Sequence, residues 1–309
     1  MANLKDIKSR IQSVENTKKI TRAMKMVAAA KIKKAESAVK NARPFAEELI
    51  RIFKKLLASV EGGATEGVVN TSRAIENYPE FLKPREVKTI GLLVITSNKG
   101  LAGAYNANII RGAVKAIKDN QEKGLHTKLF IIGLKGITSL KRKIEGLDAE
   151  IVKTYSTVMA EVNSTGAELV AEDLAKSYIA KEIDKIEVYT TKFKNMMSYL
   201  AQKWDLVPVS IEKEEETTST EIDPVMMFEP SKESILQKVM PLYLTNTIYQ
   251  ALLEAQASEL AARMTAMSAA SNNAEEMIRT LTIDYNKARQ WAITQEIIEV
   301  ASGADAIKN

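Results

Sequence analysis

The segment best suited to holding a phosphate group is Ser97-Asn98-Lys99-Gly100-Leu101-Ala102-Gly103-Ala104. It follows an apolar run and precedes a helical one, where a glycine-rich turn can offer backbone N–H groups to an anion at a helix N-terminus. Its spacing fits neither G-x-x-x-x-G-K-[ST] nor G-x-G-x-x-G, so it reads as a strand-to-helix turn whose small residues serve close packing. The sequence has no cysteine and one histidine, His126, so a thiol nucleophile is excluded and a Ser-His-Asp triad hangs on a single residue. His126 lies just before the apolar run Leu129 to Leu134 and reads as a solvated loop residue. The carboxylate pairs Glu214 with Glu215 and Glu275 with Glu276 sit in polar runs, and adjacent residues of a helix or loop point in different directions. Met24 with Met26, and Met264 with Met267, stand at helical spacing, where adaptable packing is the expected role. No catalytic, cofactor-binding or metal-binding constellation emerges, and no cofactor is expected.

The elements around these residues point to a mechanical or scaffolding part. The chain has 309 residues, 45% of them hydrophobic, which is enough for one or two cores. No apolar run approaches the 18 or so residues of a membrane helix. The start, Met1 to Arg10, has no apolar signal core, so no secretory signal is expected. No glycine precedes Gly62 and no proline precedes Pro44, while neither occurs between Leu242 and Ser302. Both ends can therefore run as helices of about 60 residues, roughly 90 Å each. Leu4, Ile7, Ile11 and Val14 follow a 3-4-3 spacing that, after a slip, resumes at Ile20, Met24 and Val27. Ala251, Ala255, Ser258, Ala262, Thr265 and Ala269 form a seam of small side chains near the other end, matched by Ala28, Ala29, Ala30, Ala35 and Ala38. One antiparallel coiled coil of the two ends is expected; two separate coiled coils with other chains would use the same seams.

Between the ends, Val87 to Thr96, Lys128 to Gly133, Ile151 to Thr154, Lys185 to Lys192 and Leu206 to Glu212 read as strands. Asn106 to Lys123, Lys135 to Ile144 and Thr165 to Lys181 read as helices. Such alternation implies a mainly parallel, Rossmann-like α/β layer, followed by an exposed polar hairpin from Thr217 to Pro230. The fold class is thus α/β with a long coiled coil, and the domains are 1–60, 61–230 and 231–309. Net charge is +5, but Met1 to Val60 carries 15 Lys/Arg against 5 Asp/Glu, which suggests an acidic partner. With 6% aromatic residues overall, and only Phe45 and Phe53 between Lys5 and Lys55, base stacking on nucleic acid is poorly provided for. A basic coiled coil that binds nucleic acid and an enzyme built on the α/β layer stay open as alternatives.

The run Ile7-Lys8-Ser9-Arg10-Ile11 through Thr17-Lys18-Lys19-Ile20-Thr21-Arg22-Ala23-Met24-Lys25-Met26-Val27-Ala28-Ala29-Ala30-Lys31 closely resembles the opening helix of F-type ATP synthase gamma subunits. Ser258-Glu259-Leu260-Ala261-Ala262-Arg263-Met264-Thr265-Ala266-Met267 and Tyr285-Asn286-Lys287-Ala288-Arg289-Gln290 through Ile293-Thr294-Gln295-Glu296 resemble its closing helix. Gly100-Leu101-Ala102-Gly103 resembles a third signature of the family. The resemblance implies a non-catalytic central-stalk rotor subunit, whose coiled coil enters a ring of alpha and beta subunits. Its globular foot would rest on epsilon and the membrane rotor ring of c subunits, with no nucleic acid as partner. It implies contact with the catalytic ring at Lys18, Arg22, Met24, Lys25, Lys99, Arg263, Arg289, Gln290 and Thr294, and rotor-ring contact at Met226, Phe228 and Glu229. Aromatic residues are commoner in the family at the place of Met226, and a small one at that of Trp291. Chloroplast members carry a cysteine-bearing regulatory insertion, and since this chain has no cysteine, thiol control is excluded. A peripheral position on the cytoplasmic side of a bacterial inner membrane is expected.

Overall fold

The computed structural model describes residues 4–61, 85–207 and 232–308. They form helix α1 (Leu4–Glu61), strand β1 (Thr89–Ile95), α2 (Tyr105–Glu122), β2 (His126–Ile132), α3 (Leu134–Lys143) and β3 (Ala149–Tyr155). After these come α4 (Ser164–Ile179), β4 (Lys185–Asn195), β5 (Ser198–Val207) and α5 (Lys232–Lys308). The chain divides into two compact units, a body of Lys31–Ala262 and a hairpin made of Met1–Ala30 with Arg263–Asn309. None of the described helices is long and apolar enough to cross a membrane.

In the body, five strands lie in the order β3-β2-β1-β4-β5, parallel except for the β4–β5 pair. Strand residues alternate between faces, and here both faces are covered, which is why β1 reads as an unbroken apolar run. Leu92, Val94, Leu129 and Ile131 pack under Ile109, Ala113 and Ile117 of α2 and Leu140 of α3. Leu93, Ile95, Phe130 and Ile132 pack against Val170, Leu174 and Tyr178 of α4 and Leu244, Ile248, Ala251 and Ala255 of α5. A third cluster joins Ile32, Ala35 and Val39 of α1 to Leu253, Ala257, Leu260 and Ala261 of α5. Spacings of three and four residues on each helix put these side chains on facing stripes. A side chain as fully buried as Leu93 contributes about 1.5 to 3 kcal/mol.

The last strand differs from the sequence expectation of Leu206 to Glu212. β5 begins eight residues earlier, at Ser198, and pairs antiparallel with β4 from Ile186↔Val207 to Asn195↔Ser198. Its polar residues obscured it, because an edge strand can face water. His126 also departs from the expected loop, since it opens β2 opposite Thr89 and its Nδ1 lies 2.6 Å from Asp148 Oδ1.

In the hairpin, α1 buries or half-buries Leu4, Ile7, Ile11, Val14, Lys18, Thr21, Met24 and Ala28. The expected slip to Ile20 and Val27 does not occur, for those two residues are 60% and 56% exposed. Lys18 and Thr21 hold the seam instead. The Thr21 hydroxyl donates to the carbonyls of Thr17 and Lys18, so it needs no other partner when covered. On α5 the inward positions are Met267, Ser271, Ala274, Ile278, Leu281, Tyr285, Ala288 and Ala292, a strict alternation of four and three. Thr265 and Ala269, expected on the seam, are exposed. The small-residue seam holds only through Ala251, Ala255, Ser258 and Ala262, which lie in the body.

Candidate functional site

A nucleotide in an open α/β sheet sits beyond the carboxyl ends of the strands, where the chain reverses its direction of winding. Here that place is between β1 and β4, and the turn that leads out of β1 toward it is bonded to the protein's own groups. Ser97 N donates to Asn106 Oδ1, and the Ser97 hydroxyl donates to the Lys99 carbonyl at 2.7 Å. At the neighbouring start of α3, Leu134 N donates to Asn98 Oδ1, Lys135 N to the Ser97 carbonyl and Gly136 N to Thr96 Oγ1. The Ser97 amide and the first amides of α3 are thus bonded to the protein. Gly133 makes this closure possible: its φ is +94°, and a Cβ there would lie 2.1 Å from the Thr96 carbonyl oxygen. Leu101, in the β1–α2 turn, has φ +62° and is exposed. Tyr105, four residues on, is wholly buried, and its hydroxyl donates to the Ala255 carbonyl of α5. Burial, the largest cause, raises its pKa far above the ordinary phenol value.

On β4 lies a polar node that the sequence did not single out. β1 pairs with β4 only as far as Val94↔Tyr189, so the rest of β4 has a backbone edge without a strand. At Phe193 the two long helices supply what is missing. The Phe193 amide donates to Glu254 Oε2 of α5 at 3.0 Å, and its carbonyl accepts from Arg43 Nη2 of α1 at 2.7 Å. Glu254 Oε1 accepts from Arg43 Nε at 3.1 Å and from Gln250 Nε2 at 2.9 Å. Buried backbone groups require partners, and here side chains 211 residues apart provide them together. A cavity of about 360 Å³ borders the node, lined among others by Arg43, Ile50, Trp204, Gln250 and Glu254.

A second charged group spans β4 and β5. Glu187 is buried and accepts at Oε1 from Lys185 (2.7 Å) and Lys203 (2.9 Å), while Lys185 also reaches Asp205 at 3.0 Å. Burial works against the Lys185 charge, but its bonds to Glu187 and Asp205 outweigh that and hold its pKa above the ordinary lysine value. Among the described residues no group of three or more His, Cys, Asp or Glu could hold a metal ion.

The residues expected to touch a partner are dispersed. In the hairpin, Lys18 Nζ lies 3.3 Å from Glu275 Oε2 and Lys25 Nζ donates to Ser268 Oγ at 3.0 Å. The two helices therefore run antiparallel there, and α1 commits two of its cations to α5. Arg22 is exposed, and Met24 and Arg263 are half-buried. Arg289, Gln290 and Thr294 are exposed together near the end of α5, and the Thr294 hydroxyl donates to the Gln290 carbonyl. Trp291, Ile293, Ile297, Ile298 and Val300 follow, each about half or more exposed. Lys99 is exposed on the β1–α2 turn of the body. Met226, Phe228 and Glu229 lie outside the described residues. Of the methionines read as packing residues, Met267 is buried and Met26 is 60% exposed.

Comparison with known proteins accounts for such a chain. The ATP synthase family model matches residues 3–307. The ATP synthase gamma chain of a Picosynechococcus strain is 39% identical over 330 aligned residues, which cover 99% of this chain and 100% of that one. That of Nostoc punctiforme is also 39% identical, with the same coverage. Among solved structures, a chain of the Tetrahymena thermophila mitochondrial ATP synthase central stalk and c-ring aligns with a TM-score of 0.56 and 26% identity, over 82% of this chain and 99% of that one. A chain of the Euglena gracilis mitochondrial OSCP, F1 and c-ring assembly shares the fold, with a TM-score of 0.53 and 16% identity, over 90% of this chain and 95% of that one.

Proposed function

The chain belongs to the ATP synthase gamma-chain family, and from that premise we propose how it works as the non-catalytic central-stalk subunit of an ATP synthase. The observation that carries the reading is the antiparallel helix hairpin made from the two ends of one chain, which also builds an α/β body whose β1–α2 turn is tied to the protein's own groups. Such a part performs no chemistry. It turns inside a ring of alpha and beta subunits, which hold the nucleotides, and biases each catalytic site by presenting a different face to it. Only differential contact can shift a conformational equilibrium, so an asymmetric shaft can drive chemically identical sites through different states.

The exposed group Arg289, Gln290 and Thr294 supplies directional contact near the end of α5, and the apolar residues Ile297, Ile298 and Val300 supply a bearing surface. Arg22 and Lys99 supply positive charge toward acidic loops of the ring. Met226, Phe228 and Glu229 form the foot contact with the c subunits, beside epsilon. The chain stands on the cytoplasmic side of an inner membrane as a peripheral subunit of that complex.

Purification from membranes through a tag on this chain should bring down alpha, beta and epsilon subunits in fixed ratio; their absence would overturn the reading. Within that assembly, Arg289→Ala with Gln290→Ala should leave the complex intact and slow ATP turnover at least tenfold, equivalent to about 1.4 kcal/mol in the barrier. Unchanged turnover in the assembled double variant would remove these residues from the contact.

A further inference from the structure

We propose that Arg43, Glu254 and Gln250 form a torque clamp: a positioning device that fixes the helix pair to the sheet of the body so that the two turn as one under load. The inference rests on the central-stalk reading. Torque taken up by a globular foot must pass into two helices, and the body joins them to its sheet by two kinds of contact. One is apolar: Leu244, Ile248, Ala251 and Ala255 of α5 pack on Leu93, Ile95, Phe130 and Ile132 of the sheet, and Ile32, Ala35 and Val39 of α1 pack on Leu253, Ala257, Leu260 and Ala261 of α5, so that half of these α5 side chains are alanine. Apolar burial is non-directional, and small side chains offer short ridges, so this interface resists separation far more than it resists sliding or twisting. The other is the node at Phe193, whose bonds weaken steeply with misalignment.

The geometry of the node suits load-bearing. Arg43 uses two nitrogens of its planar fork, Nε toward Glu254 and Nη2 toward the Phe193 carbonyl, so its orientation is fixed in a plane. Glu254 is 3% exposed at its side chain, and both its oxygens are engaged, one by the Phe193 amide and the other by Arg43 and Gln250. α1, α5 and β4 thereby meet in one closed set of bonds, made to both backbone groups of a single strand residue. The cavity alongside means that packing does not back the node on that side, so the bonds hold the geometry there.

The test uses the whole ATP synthase carrying the variant chain, with each variant studied both as a detached catalytic complex and in vesicles. Unloaded ATP hydrolysis is measured on the detached complex. In vesicles a potential-sensitive dye reads the membrane potential generated per ATP hydrolysed, whichever ion is coupled. Glu254→Gln and Arg43→Met should keep unloaded hydrolysis within twofold of wild type and lower the potential per ATP at least threefold. Arg43→Lys should not rescue, because one ammonium cannot reproduce the fork to both Glu254 and the Phe193 carbonyl. If Glu254→Gln gives no assembled complex, Arg43→Lys decides by itself. A wild-type potential per ATP in assembled Arg43→Lys overturns the clamp, as does a proportional loss of hydrolysis and potential, the signature of a role in folding alone. Failure of the unaltered chain to enter a catalytic complex would instead overturn the central-stalk reading, and the clamp with it.

Discussion

The body and the hairpin use the same two helices in opposite ways. In the body, α1 and α5 are held by polar contacts that each include a buried partner: Glu254, 3% exposed at its side chain, takes Arg43 beside Phe193, and Tyr105 bonds Ala255. In the hairpin both partners of each polar contact stay partly in water: Lys18 and Glu275 keep 31% and 48% of their side-chain surface, and the Lys25–Ser268 bond lies at the surface. Charged pairs in the first setting are costly to break, whereas pairs in the second contribute little. The difference teaches that one helix pair can be pinned along one stretch and left with adaptable, solvated flanks along another.

Alkaline pH should separate the two regions most strongly. Tyr243 is pushed up to about 12 by burial, Tyr155 is raised further by burial and its bond to Asp173, and Tyr105 and Lys185 are raised as described. All four lie in the body. Each holds its proton more tightly in the folded chain than in the unfolded one, so the stability it contributes is complete below about pH 10 and is lost as pH rises through the folded value. Tyr243 alone should remove on the order of 2 to 3 kcal/mol by pH 12. Hydrogen-exchange protection followed against pH should collapse in β1, α2 and β4 before the hairpin; the reverse order would break the contrast.

Next in size is Glu254→Ala, which strands the Phe193 amide and the Arg43 guanidinium. Removing one partner of a buried pair costs about 3 to 5 kcal/mol, and since Arg43 is a third exposed the lower figure, about 3, applies. A urea midpoint shifted by less than a third of that amount would show the node to be well hydrated. In the hairpin, Met267→Ala should cost about 2 kcal/mol, while Thr265→Ala should stay within about 0.5, because Met267 is buried and Thr265 is not. Equal costs would return the seam to the register read from the small residues. The smallest effect belongs to Glu275→Ala, worth about 0 to 1 kcal/mol and weaker at high salt. A larger, salt-independent loss would make the hairpin as rigidly pinned as the body.

These contrasts also explain what could be read in advance. The long helices were legible because glycine and proline are absent from long stretches, and the parallel sheet because Leu92 to Ile95 and Leu129 to Ile132 are apolar on both faces. The seam was misplaced because apolarity is an unreliable guide on a thin helix pair. Ile20 and Val27 face outward, while the long stem of Lys18 and the back-bonded hydroxyl of Thr21 fill the inside. β5 was lost behind its polar exposed side. The clamp was illegible for another reason: Arg43 and Glu254 look like ordinary surface charges until the fold brings them to the same unpaired strand edge.

Two prolines interrupt the long helices, Pro44 in α1 and Pro241 in α5, and both fall within the body. Each removes one rung of the helical hydrogen-bond ladder and crowds the turn before it. For a rod that carries twist, segments act as springs in series, and the softest segment takes up most of the strain. In this chain the soft turns are confined to the stretch where sheet and side chains brace the helices, with Pro44 directly beside Arg43. The hairpin keeps an unbroken ladder from Leu4 to Ala30 and from Arg263 to Lys308. Elastic strain in the two helices is thus taken up inside the body, where its neighbours limit how far each helix can bend.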